Sequence, residues 1–589
     1  MQRFNLVDEP FIVALGMDNR MHEISLLEAL IHAHRYVDIG GEMATQDAAI
    51  TRLLLAIVHT VFSRTNEDGI ESPLEDEDEA IDRWSEIWEM GQFPEVPIRN
   101  YLETWHDRFW LFHPERPFYQ VPDVYGLTAE NALEKTGLSN PDCTGPKTKA
   151  TFTSAKLNGE IGESGNKVRL FSPRLRAAKR TLTFAEAARW LITFHGFDDA
   201  SGKESKESKG ARTEKADDSI GVGWLGKLSL AQAVGRNLFE TLMLNCVFIR
   251  DGRELFGEDR PTWEREVLEV RERNYIPVPD NFAEILTIQS RRVLLIADEK
   301  SVLGFASYGG DFFNREGAVN EQFTMWTVPK ASKGKSSLPV PRYQDLPVQM
   351  WREISSLLIR EEPGSGSGHY PPGVVSWIRR LPENLSPSII AFRYVKIKYD
   401  SKNCSATNCI SDSLSMSRDL LTKLGENRLI RIAQEVKKCD DAAYAVKRFG
   451  ENLFDAEGGD MNGRQFKSNR EARIDAGNIA AERYYFEMDL PFRRWLMSLS
   501  ARDSREKFEH DIQVLRKIAC DNALRLGRQM YESSSPSAFA GHWSGKESSE
   551  RKHCSSPEAY LIFQRIVGRA LNTEKKDECA SSVHDRQRE

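Results

Sequence analysis

Beyond about residue 412 the apolar residues recur at helical spacing, with little that is patterned as strand. Leu420, Leu421 and Leu424 begin one stripe, and Leu429, Ile432, Ala433 and Val436 continue it. Phe508, Ile512, Leu515, Ala519 and Leu526 form another, and Leu561, Phe563, Ile566, Val567 and Ala570 a last one. Each stripe must cover its apolar face, so several in succession predict a helical bundle. Upstream the pattern differs. Phe4-Asn5-Leu6 and Phe11-Ile12-Val13 flank a turn at Asp8-Glu9-Pro10 and read as short extended pieces. Leu26, Leu27, Leu30 and Ala33 repeat as a helix, and Ile50 to Phe62 is apolar enough to predict a largely buried helix. Leu286-Thr287-Ile288, Val293 to Ile296 and Thr324-Met325-Trp326 read as strands of an antiparallel sheet. The expected class is α+β, with a mixed α/β region over 1–410 and a helical region over 411–589.

At 589 residues, 40% hydrophobic and 29% charged, the chain can bury a substantial core, and global disorder is excluded. The longest near-continuous apolar run, Leu53 to Phe62, is too short to span a bilayer. The opening residues have no apolar leader region. The eight cysteines, at 143, 246, 404, 409, 439, 520, 554 and 579, form no CxxC pair, so neither a zinc ribbon nor a disulfide framework is indicated. Reduced cysteines in a cytoplasmic protein are the expectation. The net charge of −8 excludes a uniformly basic binder but not a local basic patch.

Four stretches read as loops: 201–219, 331–341, 361–373 and 532–556, each rich in Ser, Gly, Pro or Lys. The most basic window is 167–180, KVRLFSPRLRAAKR, with six basic residues, no acidic one, and Phe171 at its centre. Positive charge neutralises phosphates and an aromatic among the charges can stack on an unpaired base. The same window also suits a solvated loop with Phe171 packed inward. Loop 201–219 offers lysines for phosphate contacts and glycines for close approach, yet its acidic residues bring its net charge near zero, as in a flexible linker. Segment 393–411 reads as a hairpin with basic flanks and a small polar tip at Asp400-Ser-Lys-Asn403. Such a tip can enter a DNA groove or merely close a sheet.

A catalytic alternative uses the His106-Asp107 dipeptide with His59, since imidazole and carboxylate together can hold metal ions that activate water on phosphate esters. His59, however, lies in a core-like stripe. There is no P-loop, no GxSxG and no HExxH.

Read in order, several segments resemble one family, the large subunit (CasA family) of type I-E CRISPR Cascade surveillance complexes. They are FNLVDEPFIVAL, ISLLEALIHAH, DAAITRLLLAIVHTVF, DRFWLFHPERPFY, GWLG with LFETLMLN, SRRVLL, SDSLS, and AERYYFEMDLPFRRWL, running from residue 4 to 496. The resemblance implies a large mixed α/β domain followed by a four-helix bundle. It also implies a non-catalytic subunit without cofactor, partnered by other Cascade subunits and crRNA. That subunit recognises the protospacer-adjacent motif (PAM) on double-stranded target DNA, helps open the duplex, and recruits a helicase-nuclease. Base pairing reads the rest of the target.

Residue by residue, the resemblance implies guide-RNA and complex docking through Phe171, with Ser172 and Arg169 beside it. Phe194-His195-Gly196 and the residues after them place Gly202 and Lys203 closest to a glycine loop facing the PAM minor groove. Asn403 falls near the wedge position, with Lys402 next to it, where the family's best-known pattern has Gln. Arg315 lies nearest the place of a groove-reaching lysine. The stretch equivalent to a four-cysteine zinc hairpin in some members is a plain turn, Ala297 to Val302, so no metal is expected there. Two other readings stay open: the HD-type phosphohydrolase, and a scaffold subunit that reads no PAM.

Overall fold

The computed structural model describes residues 2–139, 148, 150–163, 172–200, 221–250, 253–256, 260–265, 276–330, 338–342, 349–363, 367–383, 387–400, 405–458, 466–544 and 552–571. The chain divides by its internal contacts into two units. One comprises Met1–Val348 with Ser356–Ser413, the other Gln349–Ser355 with Leu414–Glu589.

At the centre of the first unit is helix α1 (Ala44–Arg64), which contains the predicted apolar run. Almost every residue from Thr45 to Ser63 is buried, because the helix is covered on all sides, by α3 (Phe184–Phe197) and the short helix Phe282–Leu286 among others. A helix apolar all round belongs inside. Its one interior charge, Arg52, is matched by the buried Glu321 through two parallel hydrogen bonds of 2.9 and 2.8 Å. An unmatched guanidinium there would cost several kcal/mol, about 3–5 when a buried pair is broken. Helix α3 begins at a capping box, in which Thr183 accepts from the Glu186 N–H and the Glu186 carboxylate accepts from the Thr183 N–H. Before α3, the short helix α2 (Ser154–Leu157) follows the strand Thr151–Thr153.

Strand β1 (Leu230–Val234) pairs antiparallel with the long strand β4 (Ile389–Tyr399), Ala391 opposite Val234 and Val395 opposite Leu230. On the other side of β4 lies β5 (Ala406–Ser417), so the predicted hairpin is present, with Asp400 N–H donating to Ser405 O at 2.9 Å below its tip. Strands β2 (Arg291–Ala297) and β3 (Val302–Gly309) form a second hairpin, and β3 also pairs with Thr151–Thr153. Their connection is a turn in which Asp298 accepts from the N–H groups of Lys300 and Ser301 at 2.8 and 2.7 Å.

Two strand expectations fail locally. Leu286-Thr287-Ile288 is not strand. Asn281 caps a helical turn over Phe282–Leu286 by accepting from the Glu284 N–H at 2.7 Å, and Thr287 ends it. The third strand begins only at Trp326 and pairs with Val340–Pro341 and Gly368–Tyr370 rather than with β2.

In the second unit the long helices α4 (Glu426–Ala456), α5 (Phe466–Ser498), α6 (Arg505–Glu532) and α7 (Ser556–Leu571) pack on one another. The predicted stripes supply the core: Leu429, Ile432, Phe508, Ile512, Phe563 and Val567 are buried. Leu424 and Leu561 instead face solvent. Trp351 stacks on Phe492 at 4.3 Å and donates its indole N–H to Asp489 at 3.0 Å, beside Pro491 inside α5. The stretch 532–556, expected as loop, carries a helical turn Pro536–Ala540 and a hairpin in which Trp543 lies opposite His553. Two strands of three residues hold too little periodicity to be seen beneath so much serine.

Candidate nucleic-acid interface

The basic window is less basic in space than in sequence. Arg174 pairs with Glu186, and Lys179 with Glu163 at 2.9 Å. The Glu186 partnership raises Arg174 further, so this charge is permanently committed. Both carboxylates lie outside 167–180, which is why the window alone reads as wholly unpaired.

Helix α3 packs tightly at its C-terminal end. A Cβ on Gly196 would stand 2.6 Å from Leu225, and a Cβ on Gly223 only 2.3 Å from the Gly196 carbonyl oxygen. The turn Trp224–Lys227 therefore lies directly against the helix. His195 is buried and donates through Nε2 to the Tyr119 carbonyl at 2.7 Å, and burial pushes it down to about 3, so it stays neutral. Phe194, His195 and Gly196 are thus the buried end of a helix, and the loop leaves only after Phe197.

Both stems of that loop are gathered by Arg291, which enters from β2. Its Nε donates to the Asp198 carboxylate at 2.6 Å. Its Nη2 donates to the carbonyls of Asp199 at 3.1 Å and Gly221 at 2.8 Å. The Gly223 N–H donates to the Asp198 carbonyl at 2.9 Å. The next residue, Arg292, is matched by Asp311 at 2.6 Å. Two arginines opening an apolar strand are a signal for buried partners that the sequence reading did not use.

A cleft of about 380 Å³ opens beside this clamp. Gly162, Asp198, Asp199, Tyr399 and Ser405 are among its walls. Those residues flank three segments, 164–171, 201–220 and 401–404, which lie outside the described residues. All three segments therefore leave from the rim of one cleft. Aromatic residues, Trp190, Phe194, Phe197 and Tyr399, line it, together with the buried ion pair of Lys156 and Asp199. Burial, with Glu42 nearby, holds the Glu160 carboxyl on the same wall above its ordinary range.

Most of the expected site residues fall in those segments. Arg169 and Phe171, Gly202 and Lys203, and Lys402 and Asn403 all lie outside the described residues. Ser172 is described, half-buried, and accepts from the Arg174 N–H at 3.4 Å. Arg315 is half-buried and close enough to Lys227 to lower its basicity. Of the hairpin's basic flanks only Lys398 is exposed. Lys396 is buried, because β4 is covered on both faces here.

The alternative metal ligands take different surroundings. His59 is buried between Phe248 and Phe282, at ring distances of 5.1 and 5.0 Å. His106 bonds Asp8 at 2.7 Å through Nε2, while Asp107 accepts from Gln2 at 3.2 Å. Among the described residues no three His, Cys, Asp or Glu side chains are grouped to hold a metal ion. No described helix is long and apolar enough to cross a membrane.

The family model described as CRISPR-associated protein Cse1 matches residues 5–526. The chain belongs to the Cse1 family. CasA/Cse1 of Thermus thermophilus is 30% identical to it over 367 residues, 61% of each chain, so the alignment spans less than two thirds of that relative. The crystal structure of Thermobifida fusca Cse1 is similar with a TM-score of 0.73 and 25% identity, covering 97% of this chain and 98% of that one. A chain of a CRISPR RNA-guided surveillance complex shares the fold with a TM-score of 0.63 and 16% identity, covering 96% and 100%. The mixed α/β architecture with a helical C-terminal region is thus that of Cse1 structures.

Proposed function

We propose that this Cse1-family chain is the target-recognition subunit of an RNA-guided surveillance complex of the type I-E Cascade class. It docks onto the other subunits and the guide RNA through segment 164–171 with Ser172, Phe171 supplying the aromatic anchor and Arg169 a charge. It approaches the PAM minor groove with Gly202 and Lys203, and it parts the strands with the hairpin tip at Lys402 and Asn403. It then recruits the helicase-nuclease and has no catalytic centre of its own. The observation that carries the reading is the common cleft from whose rim all three segments leave.

The chemistry is consistent with that division. The minor groove presents a degenerate set of donors and acceptors, so a reader there tolerates several related PAMs. Unstacking one step costs a few kcal/mol, and Asn403, one methylene shorter than Gln, wedges less deeply. Because strand exchange is nearly balanced, contacts of that size decide whether the duplex opens.

The test is target-duplex binding by the guide-bearing complex across a randomised PAM library, with and without this chain. Tighter binding on a subset of PAMs is expected. Asn403→Ala, Lys402→Ala and Gly202→Asp should flatten that preference, and Phe171→Ala should release the chain from the complex. A chain that alters binding on no PAM is a scaffold, and the reading falls.

A further inference from the structure

Lys227 ends the turn Trp224–Lys227 and is only 8% exposed. A lysine so far from water ordinarily brings a carboxylate with it, because a desolvated ammonium without a partner is costly. Here it does not. Among the described residues Lys227 has no ion pair and no hydrogen-bond acceptor, and the charged neighbours acting on it are two more cations, Arg291 and Arg315. Arg291 is committed to Asp198 and the loop carbonyls. Arg315, half-buried on the far side of β3 in sequence, likewise has no ion pair among the described residues. Burial first, and then these two arginines, push the Lys227 ammonium down to about 7.

The place matters as much as the charge. Lys227 follows Gly226, whose Cβ, if it had one, would stand 2.5 Å from the Tyr399 hydroxyl of β4. It stands six residues after Gly221, where the clamped stem of segment 201–220 returns. Two uncommitted cations therefore sit between the glycine-bearing segment and the hairpin. An arrangement that lacks only an anion suits a phosphodiester: the lysine supplies a point charge and the arginine a planar set of donors.

We infer that Lys227 and Arg315 form a phosphate-binding site that takes one backbone phosphodiester of the target DNA duplex. The inference rests on the reading of this chain as the DNA-recognition subunit. Such a contact carries no sequence information. It adds affinity equally on every PAM and fixes the register in which the neighbouring segments meet the groove.

The test uses the assembled guide-bearing complex with wild-type chain, Lys227→Met, Lys227→Arg or Arg315→Gln. Duplex affinity is measured between about 50 and 200 mM salt on several PAMs. Each lost phosphate contact lowers the slope of log affinity against log salt by about 0.9. Lys227→Met and Arg315→Gln should each show that loss, with affinity reduced by the same factor on all PAMs, and Lys227→Arg should retain the wild-type slope. The isolated Lys227→Met chain should melt no lower than wild type, since it loses a buried unpartnered charge.

An unchanged slope in both charge-removing variants, with PAM selectivity intact, overturns the inference and leaves the proposed function standing. So does a lowered melting temperature in Lys227→Met with an unchanged slope, the mark of a structural lysine. So does a loss confined to association of the chain with the RNA-bearing complex, which assigns the phosphate to RNA. If the wild-type chain confers no PAM-dependent binding at all, the functional reading fails and this site with it.

Discussion

Arg291 donates its Nε to the Asp198 carboxylate at 2.6 Å, with both side chains about 2% exposed. The same guanidinium holds the carbonyls of Asp199 and Gly221, so one buried side chain closes the base of a segment of some twenty residues. Fixing two distant points of a chain sets where the intervening loop leaves, whatever the loop does beyond them.

Removal of this clamp should be expensive. Arg291→Met leaves the Asp198 carboxylate buried without its cation and three carbonyls without a donor. The expected loss is about 3–5 kcal/mol, read from denaturant unfolding of the isolated chain. Asp198→Asn, which keeps an acceptor for the guanidinium, should cost less. Equal midpoints for wild type and Arg291→Met would show that the clamp carries no stability.

Gly223 and Gly226 differ in what surrounds them. A Cβ on Gly223 meets the Gly196 carbonyl at 2.3 Å, and backbone has no rotamer in which to move aside. A Cβ on Gly226 meets the Tyr399 hydroxyl, the end of a side chain, though one that donates to the Phe197 carbonyl at 2.6 Å. Gly223→Ala should therefore destabilise by roughly 1–3 kcal/mol, the usual scale of overpacking, and Gly226→Ala by less. Thermal unfolding of the two variants checks the order.

His195 makes stability fall on the acid side. Its folded pKa is about 3, against about 6.5 in an unfolded chain. The folded state resists the proton, so this contribution is fully present above about pH 6.5 and is lost as the pH falls from there toward 3. The slope approaches about 1.4 kcal/mol per pH unit within that window. His195→Gln, which keeps a donor for the Tyr119 carbonyl, should flatten it. A stability profile with the same acid slope in the variant would contradict the assignment.

Asp47 has the opposite sign. Burial raises it to about 7, with the Gly41 N–H and Arg393 opposing and Asp38 and Glu42 adding to the rise. The folded state holds this proton more tightly than the unfolded one. Its contribution is thus fully present below about pH 3.9 and lost as the pH climbs toward 7. Asp47→Asn retains an acceptor for the Gly41 N–H, bonded at 2.7 Å in the wild type, and should be the more stable protein at pH 8. Unfolding at pH 5 and pH 8 separates the two variants, since only Asp47→Asn should gain at the higher pH.

Much of the architecture was legible because it is periodic. The buried run of α1, the stripes of α4, α6 and α7, and the hairpin of β4 and β5 all follow from apolar spacing. What escaped was either too short for a period or decided by capping. Asn281 turned Leu286-Thr287-Ile288 into the end of a helix, and the Trp543–His553 hairpin is three residues a side. For the candidate interface, the sequence could name the segments that carry basic, glycine and polar-tip residues. It could not show that Gly162, Asp199 and Tyr399 bound one cleft, since they come from three distant parts of the chain.

By itself the sequence determined the class of fold, the division between a mixed region and a helical one, and the family, because these depend on local periodicity and ordered motifs. Only the tertiary structure decided which charges are spent and which are free. Arg174, Lys179 and Arg291 are matched by Glu186, Glu163 and Asp198, whereas Lys227 and Arg315 have no carboxylate among the described residues. The physical reason is that the worth of a charge is set by its desolvation and by partners within a few ångströms, and neither is a property of neighbours along the chain.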